Sequence, residues 1–138
     1  MKKSKKVLGI LNMGIFPTDI LFCNGFAYEE IVKELEAQKC NEWVFGIKMH
    51  EQLLTNGGDW CALRSSINEH GRDVLYFYII LKTPFRFEDE DYCKLAHEVL
   101  HICQFFLPLV LKRDNEYECE AYLHTHIMRQ CLKLMRGK

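Results

Sequence analysis

The chain has 138 residues, of which 49% are hydrophobic and 27% charged, and its formal net charge is −1. Residues 1–138 are therefore read as a single domain, long enough for a real core and too short for a second lobe. The composition excludes disordered, collagen-like and coiled-coil classes, the charge gives no reason to expect a nucleic-acid partner, and no apolar run is long enough to span a bilayer.

Lys2, Lys3, Lys5 and Lys6 make the start basic, which reads as a solubilising end. The opening "MKKSKKVLGILNMGIF" imitates a secretory signal, with a charged start and a short apolar run. It lacks a small-x-small cleavage site, and Asn12 interrupts the run, so a cytoplasmic location is expected. The cysteines agree with that. Cys23, Cys40, Cys61, Cys93, Cys103, Cys119 and Cys131 are odd in number, contain no CxxC pair and fall in several cases on apolar faces, as reduced thiols do.

Two short strands are expected in "VLGILNMG" and "TDILFC", broken at Pro17. The run 27–38, "AYEEIVKELEAQ", has Ile31 and Leu35 at helical spacing and acids in the first turn, the pattern of an amphipathic helix. Residues 41–58 are apolar without a clean period and read as a loop with a short helix in it. The segments 59–67 and 73–82 flank "NEHGR" and predict a hairpin, the second strand apolar on both faces and so internal to the sheet. Two helices follow, over 89–106, stopped by Pro108, and over 115–136. Strands, helix, strands and two helices in that order give an α+β arrangement rather than alternating βαβ units.

The chemistry concentrates in "HEVLH". His97 and His101 are one helical turn apart, so their imidazoles converge on one cation. Glu98 lies about 100° round the helix from His97 and cannot serve as an equivalent ligand, but it can lean over a water as general base. Zinc suits two imidazoles, and a catalytic site needs a third protein ligand. Leu95, Val99, Leu100 and Ile102 are expected to bed this helix in a core, with the two histidines and Glu98 buried beside them. Cys93, one turn before His97, reads as a buried packing cysteine rather than a fourth ligand.

The last helix offers Glu118, Glu120, His124 and His126 as the third ligand. At 100° per residue its apolar arc runs through Ala121, Leu123, Ile127, Met128, Cys131, Leu132 and Met135, with Glu120 and His124 near the middle and Glu118 at the edge. On burial alone His124 leads. Glu118 and His124 are about 9 Å apart along the axis and about 240° apart round it, so they cannot both hold one ion. Asn115 and Glu118 also fit a capping box. Tyr122 and Tyr117 stand on neighbouring turns as possible oxyanion donors, and Glu120 and His124 as groups that orient a ligand. His126 is expected at the rim or exposed.

The pair "HEVLH" and "EYECEAYL" resembles the glutamate-type zincins, in which HExxH is followed by a helix bearing E-x-x-A. In that resemblance Glu118 is the third zinc ligand and Ala121 lets the two helices approach closely. The layout is similar to short metallopeptidase-like proteins of phages and mobile elements, and more distantly to the ImmA/IrrE group. It covers about the last fifty residues. It implies a minimal zincin-like fold, a small antiparallel or mixed sheet packed against an N-terminal helix, the HExxH helix and a C-terminal helix. It further implies Zn2+ held by His97, His101 and Glu118, Glu98 as catalytic base, and a protein or peptide substrate. A different class of function fits the same residues: a zinc-stabilised interaction module of phage or mobile-element origin that cleaves nothing.

Overall fold

This computed structural model describes residues 5–13, 19–110 and 117–137, without the side chains at 69, 108–110 and 117–119. The described residues form an α+β fold with a four-stranded mixed sheet and five helices. Strands β1 (Val7–Leu11) and β2 (Ile20–Asn24) pair antiparallel, β2 pairs parallel with β4 (Arg72–Leu81), and β3 (Trp60–Glu69) pairs antiparallel with β4 at the sheet edge. Helix α1 (Tyr28–Ala37) lies between β2 and β3 in the chain, together with α2 (Asn41–Met49) and α3 (Glu51–Thr55). The chain ends in α4 (Asp89–Val110) and α5 (Tyr117–Arg136).

The sheet separates two cores. Ile20 and Phe22 of β2 and Phe77, Ile79 and Leu81 of β4 point to one side, where they meet Leu95, Val99, Ile102 and Phe106 of α4 and Leu123, Ile127 and Cys131 of α5. Leu21, Cys23, Tyr76, Tyr78 and Ile80 point to the other, against Ile31, Leu35, Ile47 and Leu54 of the first three helices. Alternation along a strand buried on both faces produces this division, and β2 is buried at all five positions. The helices thus cover both faces of the sheet. The β3–β4 turn is His70–Gly71, with φ of 52° and 80°, the pair of positive values that a two-residue type I′ turn requires.

Three expectations need correction here. Residues 41–55 form two helices, not a loop, because Phe45, Met49 and Leu53 stay exposed on the outer side while Ile47 and Leu54 face inward, which hides the period. Helix α4 runs through Pro108 to Val110. A proline so near the end forfeits one amide hydrogen bond in the last turn and leaves the preceding turns intact. Leu100 is 37% exposed and does not join Leu95, Val99 and Ile102 in the core. Asn115 and Pro17, the proposed cap and break, lie outside the described residues. Among the described residues no helix is long and apolar enough to cross a membrane.

Candidate metal centre

Helix α4 starts with Asp89, Glu90 and Asp91, whose charges suit the positive end of a helix. Asp91 is buried and accepts the Arg86 backbone amide at 2.6 Å, with the Arg86 guanidinium 3.6 Å away. Buried Asn24, at the end of β2, accepts the Phe85 amide at 2.9 Å. Asn24 ties the segment after β4 to the end of β2, and Asp91 ties it to the first turn of α4. Six residues beyond Asp91, about 1.7 turns further along α4, comes the motif, on a helix that packs against the edge strand β3.

His97 and His101 bring their Nε2 atoms to 3.0 Å, with the rings edge to face. Two nitrogens on one tetrahedral zinc, each about 2.0–2.1 Å from it, stand about 3.3 Å apart, so the observed pair needs only a small opening to share an ion. His97, Glu98 and His101 offer ligand atoms within 4.8 Å of one another. One carboxylate oxygen of Glu98, Oε2, is buried with no hydrogen-bond partner among the described residues. Burial pushes the Glu98 carboxyl above the usual range, while His101, His97 and the Ala62 amide of β3 act to lower it. A buried carboxyl oxygen without a partner, on a residue whose carboxyl group approaches two imidazoles, is a group that a cation or a polarised water would satisfy.

Burial differs from expectation. His97 is exposed and His101 and Glu98 are half-buried, because the inward stripe of α4 is taken by Leu95, Val99 and Ile102. The desolvation argument for a metal therefore rests on Glu98 and not on the histidines. Cys93, expected to be buried, is exposed. The thiols of Cys61 and Cys103 are buried, and burial pushes them up to about 11 and about 12, so they stay protonated and inert.

On α5, the Nε2 atom of His124 is 2.9 Å from the Ala96 carbonyl, which ties α5 to α4 one residue before His97. His124 and Glu120 do not belong to the cluster of converging ligand atoms. Ala121 is exposed. Tyr122 is 75% exposed. His126 is exposed as expected, with its Nε2 2.6 Å from the Gln130 amide nitrogen. Glu118 is in the first turn of α5, and its side chain, like that of Tyr117, lies outside the described residues.

Sequence reasoning missed the cleft beside the motif. It has a volume of about 630 Å³ and is lined by Asp59, Trp60, Arg86, Lys94, His97 and Glu98 among others. Lys94 was within reach of the spacing, since it precedes His97 by three residues and Glu98 by four. Nothing in the sequence tied Trp60 to it, because that contact depends on how β3 packs under α4. No protein-family model, curated protein or solved structure matches the chain.

Proposed function

We propose that the chain is a zinc-dependent, metallopeptidase-like hydrolase acting on a protein or peptide. The observation that carries this reading is the pair of Nε2 atoms 3.0 Å apart with a Glu98 carboxylate oxygen within 4.8 Å of them, while His97 and Glu98 line a cleft. His97 and His101 hold the metal, with Glu118 as third ligand and His124 as the alternative. Bound there, zinc supplies a Lewis acid that polarises a carbonyl and makes a water acidic.

Glu98 takes the proton from the attacking water and passes it to the leaving amine. Its raised carboxyl suits the task, since a base whose affinity for protons lies nearer the working pH both accepts and releases them readily. Trp60 and Ala62 form the start of β3, an edge strand whose outer side can hold an extended peptide by strand addition. Tyr122, too exposed to face a closed site, serves as an oxyanion donor only if substrate covers it. The free cysteines fit a reducing compartment such as the cytoplasm.

The test compares zinc-loaded wild type and Glu98→Gln on a proteome-derived peptide library. Wild type cleaves, and the variant keeps its zinc and loses turnover. Less than about half an equivalent of zinc per chain after reconstitution at neutral pH removes the metal site altogether. Stoichiometric zinc with no cleavage by wild type transfers the reading to the non-catalytic interaction module.

A further inference from the structure

The cleft's two walls differ in what they leave unsatisfied. On α4, Glu90, Lys94 and His97 lie at i, i+4 and i+7, one stripe of the helix, and all three line the cleft. Seven residues of rise make this wall about 10 Å long, room for about three residues of extended peptide. The opposite wall is Asp59 and Trp60 with the segment after β4.

Trp60 is held in place. Its indole N–H donates to the Thr83 carbonyl at 2.9 Å, and its ring stacks on Phe85. The indole also carries a cation, the Lys94 ammonium 5.9 Å from the ring centroid. That ammonium is otherwise held by Glu90 at 3.5 Å, an exposed pair of the kind that is weak in water and readily exchanged. Arg86 is engaged by Asp91 and Glu88. Asp59, which precedes Trp60 in the chain and lines the same cleft, has no ion pair among the described residues.

We infer that the cleft selects a peptide carrying a cationic side chain, arginine above lysine, one or two places from the bond to be cut, held between the Trp60 ring and the Asp59 carboxylate. Lys94 marks the position, for it precedes His97 and Glu98 by three and four residues, about 5 Å of helix rise and so one or two residues of extended chain. A guanidinium stacks on an indole better than an ammonium does and can displace Lys94 from it. The inference deepens the peptidase reading and rests on it for the direction in which the peptide lies.

Calorimetric titration of the zinc-loaded full chain carrying Glu98→Gln reads binding apart from turnover. Six-residue peptides that differ only in one central residue, Arg, Lys, Ala or Glu, are the probes. The Arg peptide binds about tenfold tighter than the Ala peptide and the Glu peptide weakest. Asp59→Asn removes most of that advantage, and Asp59→Lys reverses the order of Arg and Glu. Equal binding of the four, tighter binding of the Glu peptide, or no measurable binding of the Arg peptide at millimolar concentration overturns the inference. Selective binding of Arg peptides by a wild type that cleaves none would keep it and remove the peptidase reading, and cleavage indifferent to Arg would do the reverse.

Discussion

The Nε2 atoms of His97 and His101 stand 3.0 Å apart across one turn of α4. Neutral imidazoles at that separation have two ways to be satisfied, a hydrogen bond between them or a shared cation. The two differ in what a substitution does. His97→Asn or His101→Asn lowers zinc affinity by about 100-fold or more, measured by competition with a chelator, if the pair is a ligand set. Zinc also leaves as pH falls, because the imidazoles must be neutral to bind it. Retention of wild-type affinity by either variant would end the metal assignment.

Glu98 gives a stability prediction in the metal-free protein. Its carboxyl is raised in the folded state, chiefly by burial, so the folded chain holds its proton more tightly than the unfolded chain does. Stability is then greater below the unfolded value and declines as pH rises through the folded one. Glu98→Gln removes the charge that causes the decline. Metal-free Glu98→Gln should melt higher than wild type at pH 7, and the gap should shrink at pH 4. Added zinc should narrow the gap at pH 7 by stabilising wild type.

His50 makes the opposite kind of pH dependence. It closes α2 and opens α3, is 8% exposed, places Nδ1 2.9 Å from the Tyr78 hydroxyl, and meets the stacked Tyr76 and Tyr78 rings edge-on. Its Nε2 has no hydrogen-bond partner among the described residues. Burial holds the imidazole below its usual value, with the Ser66 and Gly46 backbone acting to raise it. The unfolded chain therefore binds the proton first, and stability is full above about pH 6.5 and falls as pH drops toward the folded value. His50→Gln should flatten this slope in denaturant titrations between pH 5 and 7, with the sheet's other face and zinc affinity unchanged.

A methyl group at Gly46 tests the packing of the same region. A Cβ there would stand 2.5 Å from the Tyr76 ring, and Tyr76 is itself wedged against Trp43 and Tyr78. Helix propensity favours alanine by about 1 kcal/mol, and overpacking costs about 1–3 kcal/mol. Gly46→Ala should therefore destabilise by about 1 kcal/mol. A gain in stability would show that Tyr76 has room to move.

How much of this the sequence disclosed follows from where the apolar residues sit. The helices α4 and α5 were legible because their inward residues repeat at helical spacing, and the β3–β4 hairpin because His70–Gly71 supplies its turn. The α2–α3 region was not, since exposed Phe45, Met49 and Leu53 mix with buried Ile47 and Leu54. The parallel pairing of β2 with β4 joins segments separated by three helices and a strand, and no local pattern announces it. In the site, spacing brought His97, Glu98 and His101 together, whereas Trp60, Asp59 and Arg86 reach the cleft through tertiary packing alone.

Under the proposed zinc reading the choice of third ligand lies between Glu118 and His124, and the position of His124 bears on it most directly. Its Nε2 is engaged by the Ala96 carbonyl at 2.9 Å, which leaves that nitrogen as a tether between α5 and α4 and only Nδ1 for a metal. A tether one residue before His97 would set where the motif helix stands without touching the ion. Replacing it would then loosen the helix pair and lower the melting temperature more than it lowers zinc affinity. A ligand behaves the other way. Glu118→Gln should weaken zinc about 100-fold or more, with little change in the stability of the metal-free chain, and His124→Asn should weaken zinc by less than about tenfold while destabilising the metal-free chain. Chelator competition and thermal melts on the two variants decide it, and the reverse ranking would assign His124 to the metal and leave Glu118 to the helix end.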